Sequence, residues 1–244
     1  MKDILQNIVK YTHGLGSINL VKIVGTETNT KIVAQSEDKV VSIKAFTYNP
    51  ITEFIGLFGM PNLSKLNTIL NIPEYSENAV IKIISSPTAD GGRVLEGIHF
   101  ENKSGNFSND YRFMSSTLVS ELVKTAGTDI QEWDIEIVPS VNSIQRLKFQ
   151  EAANSEETFF TVRLEKNNLV FNFGDHSSHS GKFVFHEGVT GKFTKPRVWP
   201  VSAVLSILAL PGDKVMCFSD RGMLLIKVDS GLVRYQYLIP ALLK

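Results

Sequence analysis

Apolar positions along the chain fall into short alternating runs, broken at a few places by helical spacing. In Asp3–Gly14, Ile4, Leu5, Ile8 and Val9 share one side and Gln6, Asn7 and Lys10 the other. That spacing predicts an amphipathic helix, stopped by Gly14 and Gly16. The runs Asn19–Val24, Thr30–Gln35 and Val40–Thr47 are rich in Val and Ile and separated by polar turns, so they predict three strands. A second helix is expected from Asn62 to Leu70, entered through Pro61 and closed by Pro73. Three more strands follow at Ala79–Ser85, Arg93–Asn102 and Phe107–Met114, with Asp90-Gly91-Gly92 as a hairpin turn.

After Met114 the pattern loosens. Residues 115–136 mix Ser, Thr and Gly with the acids Glu121, Asp129, Glu132, Asp134 and Glu136, and read as a connector, part extended and part loosely helical. The order then repeats. A helix is expected over Ser140–Asn154, strands over Phe159–Leu164, Leu169–Phe173 and Lys182–His186, and a helix from Pro200 to Leu210. The last three strands are Lys214–Ser219, Met223–Val228 and Leu232–Ile239. The segment Leu66–Pro73 aligns with Val204–Pro211, both reading apolar–x–(Thr/Ser)–Ile–Leu–x–apolar–Pro and both leading into a strand. Self-similarity at half the chain length predicts two copies of one supersecondary unit. The expected fold class is α+β in two tandem units, 1–114 and 137–244, joined by 115–136.

Composition narrows the function. The chain has 244 residues, 43% hydrophobic and 20% charged, as in an ordinary globular protein. No apolar run reaches the ~18–20 residues of a membrane-spanning helix, so no membrane partner is expected. The N-terminal segment is amphipathic, which does not suit a signal peptide. The single Cys217 excludes a disulfide scaffold, fits a reducing, cytoplasmic setting and reads as core. The 25 basic residues equal the 25 acidic ones, which argues against a protein coating nucleic acid with one broad basic surface.

Catalytic chemistry has little support. Asp175, His176, Ser177, Ser178 and His179, with His186 nearby, could bind zinc or act as a Ser/His/Asp set. A polar hairpin loop between two strands explains the same residues. There is no GxSxG, HExxH, P-loop or strand-borne GxGxxG. Gly14-Leu15-Gly16-Ser17 follows a helix instead of preceding one and is no phosphate cradle. No cofactor, metal or enzymatic activity is expected.

The C-terminus is more specific. Met223–Val228, Asp229-Ser230-Gly231 and Leu232–Ile239 form a hairpin whose last strand is apolar and aromatic and ends in Pro240. The ending Tyr235-Gln236-Tyr237-Leu238-Ile239-Pro240 resembles the closing strand and tail of DNA polymerase sliding clamps, of the PCNA type and of the bacterial beta type. The duplicated helix–three strands–helix–three strands order is similar to the clamp domain. Trp133–Val138, the helix with Gln145, Arg146 and Leu147, and the strands Phe159–Leu164 and Leu169–Phe173 resemble the second domain of T-even-type bacteriophage clamps.

The resemblance implies a homotrimeric ring around double-stranded DNA, with helices inside and antiparallel sheets outside, that tethers a replicative polymerase. Polymerase and clamp loader would dock short apolar peptides against Leu118, Val119 and Leu122 of the connector and Leu238, Ile239 and Pro240 of the tail. Subunits would join edge to edge through the strands Asn106–Met114 and Gly181–His186, with Tyr111, Phe113, Phe183 and Phe185 at the joint. A viral source would place the protein in host cytoplasm.

Such a ring holds DNA by its phosphates without reading bases. The bases expected to face it are Lys2, Lys10, Lys65, Arg146 and Lys148 on helices, and Lys192, Lys195 and Arg197 just before the last helix. Acids beside these helices are few, Asp3 and Glu151, and most gather in the connector and turns. The alternatives are a non-enzymatic phage structural or assembly protein, and an enzyme using the His176/His179 loop.

Overall fold

The computed structural model of the chain describes residues 1–88, 91–124, 132–174 and 179–242. The chain divides into two compact units, Met1–Ala126 with Ser230–Tyr235, and Gly127–Asp229 with Gln236–Lys244. In the first unit the order is α1 (Lys2–Tyr11), β1 (Leu20–Gly25), β2 (Thr30–Gln35), β3 (Ser42–Thr47), β4 (Gly56–Pro61), α2 (Leu63–Leu70), β5 (Val80–Pro87), β6 (Arg93–Glu101), β7 (Ser108–Arg112) and α3 (Ser116–Leu122). The second unit has β8 (Ile135–Ile137), α4 (Val141–Ala153), β9 (Phe159–Glu165), β10 (Asn168–Phe173), β11 (Gly181–His186), β12 (Arg197–Pro200), α5 (Val201–Leu208), β13 (Asp213–Ser219) and β14 (Met223–Asp229). The final strand β15 (Val233–Pro240) gives its first three residues to the first unit and the rest to the second.

Each unit carries two antiparallel sheets. In the first, β4-β1-β2-β3 continues into Val233–Tyr235 of β15, and β5-β6-β7 forms the other. In the second, the sheets are β11-β10-β9-β12 and β15-β14-β13-β8. The predicted duplication is visible in the spacing. Leu20 and Phe159 open β1 and β9, Ser42 and Gly181 open β3 and β11, and both pairs are 139 residues apart. The two short helices match more closely still: α2 buries Leu63, Leu66, Ile69 and Leu70, and α5 buries Val201, Val204, Ile207 and Leu208. The shared i, i+3, i+6, i+7 stripe lies along one helical face, which each helix turns to its own core.

The helices begin where local chemistry allows. Asn62, in the left-handed region at φ 51°, caps α2 by accepting from the Lys65 N–H at 3.2 Å. Ser140 caps α4 by accepting from the Ser143 N–H at 3.0 Å. Proline, which cannot donate, precedes α5 at Pro200. The aromatic core of the second unit holds Phe160, Phe171, Phe173, Phe183, Phe185, Trp199 and Phe218, all buried. Phe171 stacks on Phe185 with ring centroids 4.3 Å apart. In the first unit Phe58 stacks on Phe113 at 4.3 Å, and Tyr11 of α1 stacks on Tyr235 at 4.8 Å.

The predicted order needs two corrections. Four strands, not three, lie between the first two helices of each unit, because no strand was predicted at β4 or β12. Their sequences, Gly-Leu-Phe-Gly-Met-Pro and Arg-Val-Trp-Pro, lack a clean two-residue alternation and end in proline, yet β4 pairs with β1 and β12 with β9. The connector is not loose throughout: it begins with α3 and ends in β8, which pairs with β13. The predicted turn at Asp90-Gly91-Gly92 does join an antiparallel pair, β5 with β6, although Asp90 itself lies outside the described residues. Among the described residues no helix is long and apolar enough to cross a membrane.

Leu70 and Leu208 hold equivalent stripe positions at 3% exposure each. Leu70→Ala and Leu208→Ala are each expected to lose about 2–5 kcal/mol in a denaturant titration, while the exposed Ser64→Ala changes stability by under ~0.5 kcal/mol.

Candidate functional site

The start of the connector is fixed to the first unit's sheet. Ser115 caps α3, and Val119 is fully buried in a cluster with Val33 and Val123, against which Leu20 and Met114 pack. Close approach requires Gly59 in β4, since a Cβ there would sit 2.8 Å from Val119 Cγ2. At the end of α3, Lys22 of β1 is only 9% exposed and donates from Nζ to the Val123 carbonyl at 2.7 Å. Docking through Val119 turns Leu118 and Leu122 outward, at 46% and 57% exposure. Leu122 and Val123 border a shallow pocket of about 380 Å³, with Asn19, Leu20, Pro61 and Met114 on its other sides. Of the three predicted connector residues, two present apolar surface and Val119 is the anchor beneath them.

In the second unit, the face of β13, β14 and β15 turned away from the core is also apolar. Cys217, Leu225 and Leu238 form a buried cluster, and Trp133, Val215 and Met223 pack on it half-exposed. Strand alternation separates the predicted tail residues. Leu238 belongs to this outer cluster and Pro240 is exposed, whereas Ile239 is fully buried in the core and its carbonyl accepts from Trp199 Nε1 at 3.2 Å. Trp133, Val215, Met223 and Leu225 were not singled out from sequence. The signal was available: β13 and β14 are apolar on both alternating faces, and a sheet apolar on both faces is one that something covers.

A polar group sits at the margin of this cluster. Glu136 Oε2 accepts from Cys217 Sγ at 3.3 Å and pairs with Lys227 Nζ at 3.2 Å. The thiol hydrogen bond and the Lys227 ammonium hold the Glu136 carboxyl below the usual range. Burial, reinforced by the Glu136 contact, pushes the Cys217 thiol up to about 12. Cys217 is therefore a packed thiol and not a nucleophile. Among the described residues no three His, Cys, Asp or Glu side chains gather as a metal site. Residues 175–178 of the Asp175–His179 segment lie outside the described residues.

The predicted DNA-facing bases separate into groups. Lys10, Lys65 and Lys148 are exposed on α1, α2 and α4; the other exposed residues are Asp3 and Gln6 on α1, Ser64, Asn67 and Thr68 on α2, and a mixed set on α4 that includes the apolar Val141 and Phe149. Lys2 is half-buried and donates to the Tyr75 carbonyl at 2.6 Å. Arg146 is drawn back to the sheet, donating to the Val184 carbonyl at 3.2 Å with its guanidinium 5.3 Å from the Phe183 ring centroid. Lys192 is exposed in the irregular segment before β12. Lys195 and Arg197 are not on a helical face: they line a pocket on the four-stranded sheet, and Arg197 donates to the Asp220 carbonyl.

The strands expected to join subunits, β7 and β11, are both edges of their sheets. The aromatic side chains named for that joint point the other way. Tyr111, Phe183 and Phe185 are 2%, 6% and 1% exposed within their own units, and Phe113 stacks on Phe58. Burial raises the Tyr111 hydroxyl above its ordinary range, and it donates to the Pro61 carbonyl. The outward residues are polar: Asp110 and Arg112 on β7, paired with His99 and Glu96 of β6, and Lys182 on β11, paired with Glu165 of β9.

The duplicated helix-and-sheet unit defines the class: the fold is that of DNA sliding clamps. Within that class it is the PCNA type, as two solved structures show. The chain is similar over 100% of its length, and 97% of the other, to A. fulgidus PCNA in a structure with the C-terminal region of FEN-1 bound, at TM-score 0.67 and 11% identity. It is similar over 99% of its length, and 96% of the other, to the proliferating cellular nuclear antigen of Entamoeba histolytica, at TM-score 0.66 and 9% identity. No protein-family model and no curated protein sequence matches the chain.

Two measurements check this local chemistry. Cys217 is expected to react with an aromatic disulfide reagent only after denaturation; stoichiometric labelling of the native chain at neutral pH would contradict the buried, elevated thiol. Lys22→Met leaves the Val123 carbonyl without its donor, at a cost of about 1–3 kcal/mol. Its amide exchange is expected to quicken over α3 before any other helix.

Proposed function

We propose that the chain is a DNA sliding clamp: three copies close a ring around duplex DNA and hold a replicative polymerase to its template. The observation that carries this reading is the correspondence to PCNA over essentially the whole of both chains. The charge placement supports it. The helices α1, α2, α4 and α5 together carry five Lys or Arg against two Asp or Glu, in a chain whose total is zero. Phosphate contact through Lys10, Lys65 and Lys148 is weak, independent of sequence and screened by salt, which suits a ring that must slide.

In this reading the edges of β7 and β11 pair between copies through their backbones, with Asp110 and Lys182 offering opposite charges outside the paired edge. Tyr111, Phe113, Phe183 and Phe185 stiffen those edges from within. Partner proteins, polymerase and loader among them, use short apolar peptides, as the C-terminal region of FEN-1 is bound to A. fulgidus PCNA. The surfaces for them are the exposed Leu118 and Leu122 of α3 and the outer cluster around Leu238 with Pro240. The affinity to phage clamps is part of the proposal and rests on the pattern of Trp133–Phe173. The ring acts as a binding scaffold with no catalytic step of its own.

Light scattering after size exclusion is expected to give three times the chain mass of 27.1 kDa at high concentration. Loaded protein is expected to stay on nicked circular DNA and leave when the circle is cut. Lys65→Gln and Lys148→Gln should each lower the salt slope of DNA binding by about one. A chain that stays monomeric at high concentration, or is retained equally on linear DNA, would sink the reading, and an open polymer would favour an assembly protein.

A further inference from the structure

Outside the surfaces described above, the second unit has a pocket of about 780 Å³ on the sheet β11-β10-β9-β12. Its position relative to α4 follows from strand parity. Gly181 and Phe183 face α4, since a Cβ at Gly181 would meet Gln150 Oε1 and Asn154 Nδ2, and Arg146 covers the Phe183 ring. Lys182 lies between them in β11 and points to the opposite face. There it joins a cross-strand row with Asn172 and Thr161, which pair in register across β11, β10 and β9. Arg163 is two residues along β9 on the same face, and Lys195 and Arg197 close the pocket from the β12 side.

All four cations line one concavity, and none of its described lining residues carries a carboxylate. Lys182 is compensated by Glu165 at 2.6 Å, and Arg197 by the Asp220 carbonyl. Arg163 and Lys195 are exposed and enter no ion pair among the described residues. Neutral donors at Thr161 and Asn172 complete the wall.

We infer that this pocket is an anion site for a phosphate ester carrying at least two negative charges. Guanidinium groups match phosphate oxygens in geometry as well as charge. The volume falls in the range of sites for small ligands, roughly 300–1,000 Å³, and is too small for a duplex. Among the described lining residues no aromatic side chain is exposed, so recognition runs through phosphate and not through base stacking. The ligand is the phosphate of a free nucleotide or of a short single strand. The site stands on its own geometry and does not depend on ring closure.

Calorimetric titration of the full chain at low salt tests it with three probes: inorganic pyrophosphate, the tetranucleotide (dT)4 and a tetraglutamate peptide. One equivalent of pyrophosphate or (dT)4 is expected to bind per chain. Arg163→Gln with Lys195→Gln is expected to weaken that binding at least tenfold, while Lys65→Gln with Lys148→Gln leaves the pyrophosphate binding unchanged. Pyrophosphate binding as tightly as (dT)4 assigns the site to free phosphates; (dT)4 binding more tightly assigns it to a strand. The inference fails if neither phosphate probe binds, if the helix variant abolishes binding and the pocket variant does not, or if tetraglutamate binds as well as the phosphates. Unchanged circular dichroism of the exposed-residue variants separates loss of the site from loss of fold.

Discussion

The structure depends on one packing constraint used twice: a two-turn helix must bury a four-residue apolar stripe against its own sheets. In α2 the stripe is Leu63, Leu66, Ile69 and Leu70; in α5 it is Val201, Val204, Ile207 and Leu208. At eight residues, neither helix holds its shape by hydrogen bonding alone, because nucleation consumes most of what so short a helix gains. The stripe supplies the missing stability through burial. It also decides orientation. Once those four side chains are inside, the remaining positions of α2, Ser64, Lys65, Asn67 and Thr68, are outside, so the same residues that fold the helix also select its functional face.

That economy explains what could be read from sequence. Periodicity reports burial on one face, and the elements with a clean period, α1, α2, α4 and the strands of both meanders, were legible to within a few residues. The edges were not. β4 gains its place from backbone pairing with β1 and from the contact of Gly59 with Val119, and glycine leaves no periodic trace. β8 is three residues long and exists because β13 accepts it. The polar run Ser115–Leu122 becomes helical because Ser115 caps it and Val119 and Lys22 fasten it, interactions that join positions about 60 and 100 residues apart in the chain.

The site residues divide along the same line. Exposed residues on periodic elements, such as Lys65 and Lys148, were placed where the pattern implied. Residues on strands required the parity of the strand, which a one-residue shift reverses. Leu238 and Ile239 are neighbours on opposite faces, and only the first belongs to the outer cluster. The resemblance put Tyr111, Phe183 and Phe185 at a joint between edge strands, but an edge strand exposes backbone while its alternate side chains still enter the core. Lys195 and Arg197 precede a helix in sequence, yet Arg197 opens the strand β12 and Lys195 lies two residues before it.

Neutral total charge takes on a different meaning once positions are known. Ion pairs lie on the strands: Glu96 with Arg112, Glu165 with Lys182, and Glu136 with Lys227. Being exposed, such pairs add little stability. Their larger effect is to cancel charge locally, so the sheets present alternating sign at short range and little net field beyond a Debye length of about 10 Å. On the helices Lys10, Lys65 and Lys148 enter no ion pair among the described residues. Arg163 on β9 and Lys195 just before β12 are the counterpart at the pocket, two cations outside the contacts of Lys182 with Glu165 and of Arg197 with the Asp220 carbonyl. A sum of zero therefore conceals two separate positive regions, one dispersed over helices and one concentrated in a pocket. Dispersed charge favours contact that can move, whereas concentrated charge favours contact that stays.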